Sequence, residues 1–225
     1  MNKAMNSVDN NARLPRGRGL LLLLVGALAG CALPVPPVRP AVYDFGPGEL
    51  APPAPPRAAQ LAPLAVAEVE APPALDSTAV LYRLAYANAQ QLQPYALARW
   101  SMTPAQLVRQ SLRERLGQRR ALLNADGGAA GVASASGGPA PLILRLELEE
   151  FSQLFETPQQ SVGLLRLRAT LLQAKPGGEQ LLAQRSLIVQ RPATSADAAG
   201  GVRALSAATE AAVQELEQWL LALGV

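Results

Sequence analysis

The feature that most constrains this chain is an apolar run from Leu20 to Ala29 that ends just before a cysteine. Residues 1–19, which precede the run, are polar and carry four basic residues against a single acid, Asp9. A basic start, a short apolar core and small residues at a cut are typical of a secretory signal peptide. Even when extended to Leu33, the run falls well short of the roughly 20 apolar residues that span a bilayer. We therefore predict that the chain is exported and that the mature protein has no membrane span.

The run ends in Leu28-Ala29-Gly30-Cys31, which resembles the bacterial lipobox. This resemblance implies cleavage between Gly30 and Cys31, removal of residues 1–30 as the signal peptide, and lipidation of Cys31, palmitate included. Cys31 is the only cysteine in the chain, and a free thiol is a liability in an oxidising compartment. Several acyl chains on one residue give stable membrane anchoring. The alternative is an ordinary cut after Ala29 that leaves Cys31 as a free thiol.

The residue after the cysteine bears on the destination of the protein. It is Ala32 and not an aspartate. By analogy with enterobacterial lipoproteins, an alanine here favours the periplasmic face of the outer membrane over retention at the inner membrane.

Charge excludes one class of partner. Four of the 20 basic residues and one of the 17 acidic residues precede Cys31, which leaves 16 of each in the mature chain. A neutral chain lacks the basic footprint of a nucleic-acid-binding protein. The 195 residues that remain after removal of 30 from 225 are enough for one domain with its own core.

A proline-rich segment follows the cysteine. Nine prolines lie between Ala32 and Gln60, a composition that favours extended polyproline II. Two aromatic residues, Tyr43 and Phe45, interrupt it, and we expect them in the first strand of the fold. We therefore predict a tether at 31–42 and a domain at 43–225. Within that domain, flexible loops are expected at about 46–60 and 124–141.

The rest of the chain alternates strand and helix patterns. Period-two alternation and turn residues predict strands at 61–69, 79–87, 92–99, 142–151, 162–173 and 181–190. A turn is expected at 88–91, and Pro94 suggests an edge strand. The predicted order is strands, helix, strands, helix. This order indicates one mixed sheet packed by two main helices, in the α/β or α+β class.

Two segments have helical periodicity. Thr103 suits an N-cap and Pro104 the first turn of a helix that ends near Leu116. A second helix is expected at about 206–223. Its predicted apolar face consists of Val213, Leu216, Trp219, Leu220 and Leu223, and its predicted outer residues are Glu210, Glu215 and Glu217.

Catalytic chemistry is sparse in this sequence. The chain has no histidine, which excludes Ser-His-Asp and Cys-His arrangements and the commonest metal ligand. Lys175, in a predicted turn, is the single lysine after Cys31, and no phosphate-binding glycine loop occurs. We therefore expect no catalytic site, no metal and no cofactor.

Carboxylates are the remaining candidates for catalysis. Glu147, Glu149 and Glu150 form the densest cluster, and a glycosidase needs two acids at a fixed separation. The simpler interpretation places Glu147 and Glu149 on the solvated face of a half-buried strand, paired across the sheet with Arg166 and Arg168. A carboxylate hydrolase is kept as a competing hypothesis.

Two tryptophans could pack or dock. Trp100 follows a predicted strand, and Trp219 lies on the apolar face of the last helix. Both are expected as packing anchors, with docking to a partner as the alternative.

The order of these blocks resembles a known family. An aromatic strand with Tyr43-Asp44-Phe45 follows the lipobox, and then come Leu81-Tyr82-Arg83, Arg99-Trp100 and the helix that begins at Pro104. Together they resemble the ABC-type transport auxiliary lipoprotein family from Tyr43 onward. One departure is Ser101-Met102-Thr103, where members of the family usually carry an acid.

The resemblance implies a single three-layer α/β domain and a non-catalytic role. The expected partners are an ABC transporter permease and a periplasmic subunit of the mammalian-cell-entry type, in transport of lipids or other hydrophobic compounds between membranes. The sheet edge at 92–100 is the expected docking surface, and a homo-oligomer is left open. The alternative function is a lipoprotein of another envelope machine, for outer-membrane assembly or cell-wall synthesis.

Overall fold

A computed structural model describes residues 38–48, 61–125, 140–175 and 178–225. From Arg39 onward these residues form one compact unit. The strands are β1 (Ala41–Tyr43), β2 (Leu64–Glu70), β3 (Ala79–Leu84), β4 (Ala89–Trp100), β5 (Leu122–Asn124), β6 (Leu142–Phe155), β7 (Ser161–Lys175) and β8 (Gly178–Pro192). The helices are α1 (Ala85–Asn88), α2 (Pro104–Gly117) and α3 (Ala198–Ala222).

The sheet branches at its long strand β6. One side of β6 pairs antiparallel with β7 from Ile143 to Phe155, and β7 pairs antiparallel with β8. On the other side, the first half of β6 pairs in parallel with β2 and the last three residues pair in parallel with β3. β2 continues to β5, and β3 continues to β4 and then β1. The result is an eight-stranded mixed sheet with β1 and β8 at opposite edges.

A bulge in β6 changes which residues face the core. Before it, Leu144, Leu146 and Leu148 are buried, as the alternation predicts. The register with β7 then shifts between Leu148 and Glu150, after which Phe151 faces the core. One extra residue in a strand reverses its inward parity, which is what a bulge does.

Both long helices pack on one face of this sheet and share one apolar core with it. Helix α2 begins as predicted, with Pro104 in its first turn. Thr103 caps it in a capping box: its side chain accepts from the Gln106 N–H, and the Gln106 side chain accepts from the Thr103 N–H. Val108, Leu112 and Leu116 are buried beneath it, as their spacing predicts. The mixed sheet packed by two main helices is confirmed.

The start of α3 differs from the prediction. It begins at Ala198 and not near Ser206, with Asp197 as its N-cap. The prediction was wrong because Gly200 and Gly201 are poor helix formers, and propensity placed the start after them. A Cβ on Gly201 would lie 2.1 Å from Gln153 Oε1 on β6, so close packing against the sheet requires glycine there.

Three further expectations at element ends were wrong. β6 runs four residues past Phe151, because its polar residues Ser152 and Gln153 are buried with hydrogen-bond partners. The strand expected at 79–87 ends at Leu84, the short helix α1 follows it at Ala85–Asn88, and β4 already begins at Ala89, within the turn expected at 88–91. On α3, Glu217 is buried, whereas Leu223, at its C-cap, is 44% exposed.

The predicted signal peptide, most of the predicted tether and most of both predicted loops lie outside the described residues. β1 begins at Ala41, two residues before the predicted domain boundary. Pro94 of β4 pairs with Leu81 of β3 on one side. On the other side of β4, β1 pairs only with the last three residues, 98–100, so Pro94 lies at an edge among the described strands, as predicted. No helix in the described ranges is long and apolar enough to cross a bilayer.

We predict that Gly163→Ala destabilises the fold. A Cβ on Gly163 of β7 would lie 2.5 Å from the carbonyl carbon of Ala204 on α3, a backbone atom that cannot move without shifting the helix. Overpacking of this kind costs about 1–3 kcal/mol, measurable by urea unfolding. Gly117→Ala is the matched control, because its Cβ would meet Leu122 Cδ1 at an ordinary 3.8 Å. Equal stability of the two variants would refute the close approach.

We also predict a pH-dependent contribution from the α3 N-cap. The Asp197 carboxylate accepts the Gly200 N–H and the Ser195 hydroxyl, each at 2.7 Å, and these bonds hold its pKa below the usual value of 3.8. This stabilisation is therefore complete above the unfolded-state pKa and is lost as the pH falls through the lower folded-state pKa.

The test for this N-cap is Asp197→Asn, which keeps an uncharged cap of similar strength. The difference in unfolding free energy between the wild type and this variant should shrink as the pH falls below 3.8. Asp197→Ala, which removes the cap, should cost about 1 kcal/mol at neutral pH. A difference between wild type and Asp197→Asn that is constant with pH would contradict the assignment.

Candidate functional site

The sequence predicts that the principal site is a lipid anchor at Cys31. Cys31 and the cleavage position between Gly30 and Cys31 lie outside the described residues. The described surface therefore starts at the point where the chain enters the sheet.

An aromatic cluster holds that entry point. Phe45 packs edge-on against Trp100 with ring centroids 5.8 Å apart, and Trp100 packs against Phe151 at 5.7 Å. β1 pairs in parallel with the end of β4, and the Ser101 N–H donates to the Tyr43 carbonyl at 2.7 Å. Trp100 is 2% exposed, so its side chain acts in packing.

Trp219 is also a packing residue in this structure. It lies half-buried on α3 and contacts the apolar core beside the fully buried Leu220. The two predicted anchors are not brought together into one site: Trp100 closes the β1 end of the sheet, and Trp219 supports the last turns of α3.

The carboxylate cluster on β6 is paired with arginines, as predicted. Arg168 bridges Glu147, at 3.7 Å, and Glu149, while Arg166 lies 3.7 Å from Glu149. These side chains are a quarter to a half exposed, so each pair is worth under about 1 kcal/mol. The outer face of the sheet thus carries a ladder of compensated charges.

Glu150 is more strongly held than its neighbours. Arg83 donates to both of its carboxylate oxygens, at 3.2 and 2.9 Å, and the Ser152 hydroxyl donates to it at 2.6 Å. Arg83 also donates to the carbonyls of Ala89 and Gln90 at the start of β4. Glu150 therefore ties β3 and β4 to the bulge of β6.

A series of buried, hydrogen-bonded polar side chains lies beneath the start of α3, and it was not predicted from the sequence. Gln153 is 0% exposed; its Oε1 accepts from the Tyr95 hydroxyl, and its Nε2 donates to Ser161 Oγ, both at 2.8 Å. Burial first, and then the charges of Tyr82 and Asp197, raise the pKa of Tyr95 well above 10. The neutral phenol therefore stays a donor. The available sequence signal was Gly201, which faces Gln153.

Glu217, expected on the outer face of α3, instead links the two long helices. It is 5% exposed and accepts from Arg115 Nε on α2 at 2.7 Å, with Arg119 at 3.7 Å. The helical spacing predicted an exposed acid, because the position of α2 over this face cannot be read from α3 alone.

Two open grooves mark the described surface. One, of about 450 Å³, lies between β2 and α2 and is lined by Glu68, Gln106, Arg109, Gln110, Arg113 and Glu114. The other, of about 410 Å³, lies beside Glu70, Pro72, Glu147 and Glu149. Charged and amide side chains line the first groove, whereas three glutamates together with Ala71, Pro72 and Leu148 line the second. Both grooves are open, which suits a surface contact better than an enclosed acyl chain.

Comparison with known proteins identifies the domain. The family model described as the ABC-type transport auxiliary lipoprotein component matches residues 43–217. A crystal structure of a protein from Xanthomonas campestris is 22% identical, with a TM-score of 0.61 over 82% of this chain and 96% of that one.

A second, uncharacterised protein of known structure is 13% identical, with a TM-score of 0.56 over 81% of this chain and 99% of that one. At such low identity these two likenesses show a shared fold. No curated protein is similar enough to count as a match. The family match covers most of the chain, and the protein belongs to the ABC-type transport auxiliary lipoprotein family.

Proposed function

We propose that this protein is held by lipid on Cys31 at the periplasmic face of the outer membrane. There it serves as a non-catalytic auxiliary component of an ABC transporter with a mammalian-cell-entry-type subunit. The system moves lipids or other hydrophobic compounds between the two membranes. The observation that carries this proposal is the family match over residues 43–217 on a chain whose leader ends in Leu28-Ala29-Gly30-Cys31.

The chemistry of the described surface supports a docking role over a carrier role. Both grooves described above are open and each carries charged side chains, whereas sites for acyl chains are enclosed and apolar. Its densest carboxylate cluster is engaged by Arg83, Arg166 and Arg168. A surface of this kind suits contact with the polar periplasmic part of a transporter, with the hydrophobic cargo carried elsewhere.

The deciding experiment is purification of the lipidated protein from membranes, followed by mass spectrometry of its N-terminus and of the chains that co-purify. We expect acylated Cys31 together with a permease or a mammalian-cell-entry-type subunit. Cys31→Ser should release the protein from the membrane fraction without unfolding it, because Cys31 precedes the compact unit that begins at Arg39.

Other results of that experiment separate the alternatives. If acylated Cys31 is found and the co-purifying chains are outer-membrane assembly or cell-wall proteins, the anchor is supported and the transporter assignment is wrong. An unmodified N-terminus at Gly30 would remove the anchor itself.

We predict that the double variant Glu147→Gln with Glu149→Gln keeps the transporter partners and loses less than about 1 kcal/mol of stability per ion pair in urea unfolding. Glu150→Gln is the contrasting variant, because it breaks a half-buried bidentate pair with Arg83 and should cost more. Loss of transport in the double variant with its partners and stability intact would favour the competing hydrolase hypothesis.

A further inference from the structure

Two exposed apolar side chains lie on the strands where the chain enters the sheet. Val42 on β1 is 68% exposed, and Leu97 on β4 is 55% exposed. Val42 pairs in parallel register with Arg99, and Ala41 pairs with Ala98, so Leu97 directly precedes the paired segment. Residues 98 and 100 point into the core, whereas 97 and 99 are exposed, which places Leu97, Arg99 and Val42 on one outer surface.

This apolar pair is flanked by positive charge. Arg39 and Arg99 are both exposed, and neither makes a salt bridge with any described acid. The acid nearest in sequence, Asp44, accepts the Gly46 N–H at 2.8 Å. Asp44 is exposed and keeps its charge, so two arginines stand against one acid in residues 38–48 and 97–99, whereas the arginines of the β6–β7 ladder are paired with glutamates.

We propose that this entry surface, formed by Val42, Leu97 and Arg99 with Arg39 just before it in the chain, rests on the anionic phospholipid headgroups of the membrane that holds the anchor. The proposal builds on the proposed lipid at Cys31. Nine residues separate Cys31 from the first residue of β1, which limits the distance between them to about 35 Å even in a fully extended chain. This edge of the sheet is thus the part of the domain that lies nearest to the anchor along the chain, within reach of the bilayer.

The chemistry of the four residues fits that occupant. Arginines beside a bilayer are attracted to anionic lipids, and exposed apolar side chains between them can enter the boundary between headgroups and acyl chains. The same end of β4 lies within the edge expected to dock the transporter. Two exposed apolar side chains lie near two arginines without salt bridges, and a short tether joins them to the proposed lipid. This combination favours the membrane as the occupant.

The test uses the lipidated protein in vesicles with a fluorescent label at one position at a time. Acylated Cys31 has no free thiol, so Val42→Cys or Leu97→Cys provides a unique labelling site. Ile188→Cys is the matched control, because Ile188 is 62% exposed on β8 at the opposite edge of the sheet. Vesicles contain phosphatidylethanolamine with or without phosphatidylglycerol, and brominated acyl chains serve as the quencher.

We expect quenching at 42 and 97 in the phosphatidylglycerol vesicles and none at 188. Reversing both charges, with Arg39→Glu and Arg99→Glu, should reduce quenching to the level at 188 while the protein still floats with the vesicles. Flotation without quenching at 42 and 97, or equal quenching at all three positions, would overturn the contact and leave the anchor intact. Failure to float would overturn the anchor at Cys31 and, with it, the membrane contact that depends on it.

Discussion

The close approach of α3 to the sheet is the contact on which the rest of this fold depends. Gly163 on β7 faces the backbone of Ala204, and Gly201 faces Gln153 on β6, at distances that no side chain could share. With its first turns held against β6 and β7, α3 covers their apolar residues and meets α2. The ion pairs of Glu217 with Arg115 and Arg119 then fix how the two helices lie together.

The bulge of β6 lets one strand serve two half-sheets. It changes the inward parity between Leu148 and Phe151 and brings Glu150 within reach of Arg83. Beyond the bulge, polar residues enter the interior, which is tolerable only because each finds a partner: Ser152 bonds to Glu150, and Gln153 bonds to Tyr95 and Ser161. The bulge at which the sheet branches is therefore also what brings these polar side chains into the interior.

Sequence patterns predicted those parts of the fold whose causes are local. The capped start of α2 at Thr103 and the alternation from Leu144 to Leu148 both follow from neighbouring residues. The early start of α3 and the buried positions of Gln153 and Glu217 depend on contacts between segments far apart in sequence. Helix propensity disfavours the glycines at the start of α3, and polarity disfavours burial of Gln153 and Glu217. One sequence alone cannot show the contacts that compensate.

The candidate surface divides in the same way. The pairing of Glu147 and Glu149 with Arg166 and Arg168 was predictable, because adjacent strands and period-two alternation fix which residues face each other. The exposure of Val42 and Leu97, where the chain enters the sheet, could not be predicted from the sequence. β1 has only three residues, too few to hold the edge by backbone pairing alone, so the cluster of Phe45, Trp100 and Phe151 must secure it. That burial fixes Val42 outward beside Arg99, and any pull on the proposed anchor is therefore transmitted to the aromatic core and not to a loose edge strand.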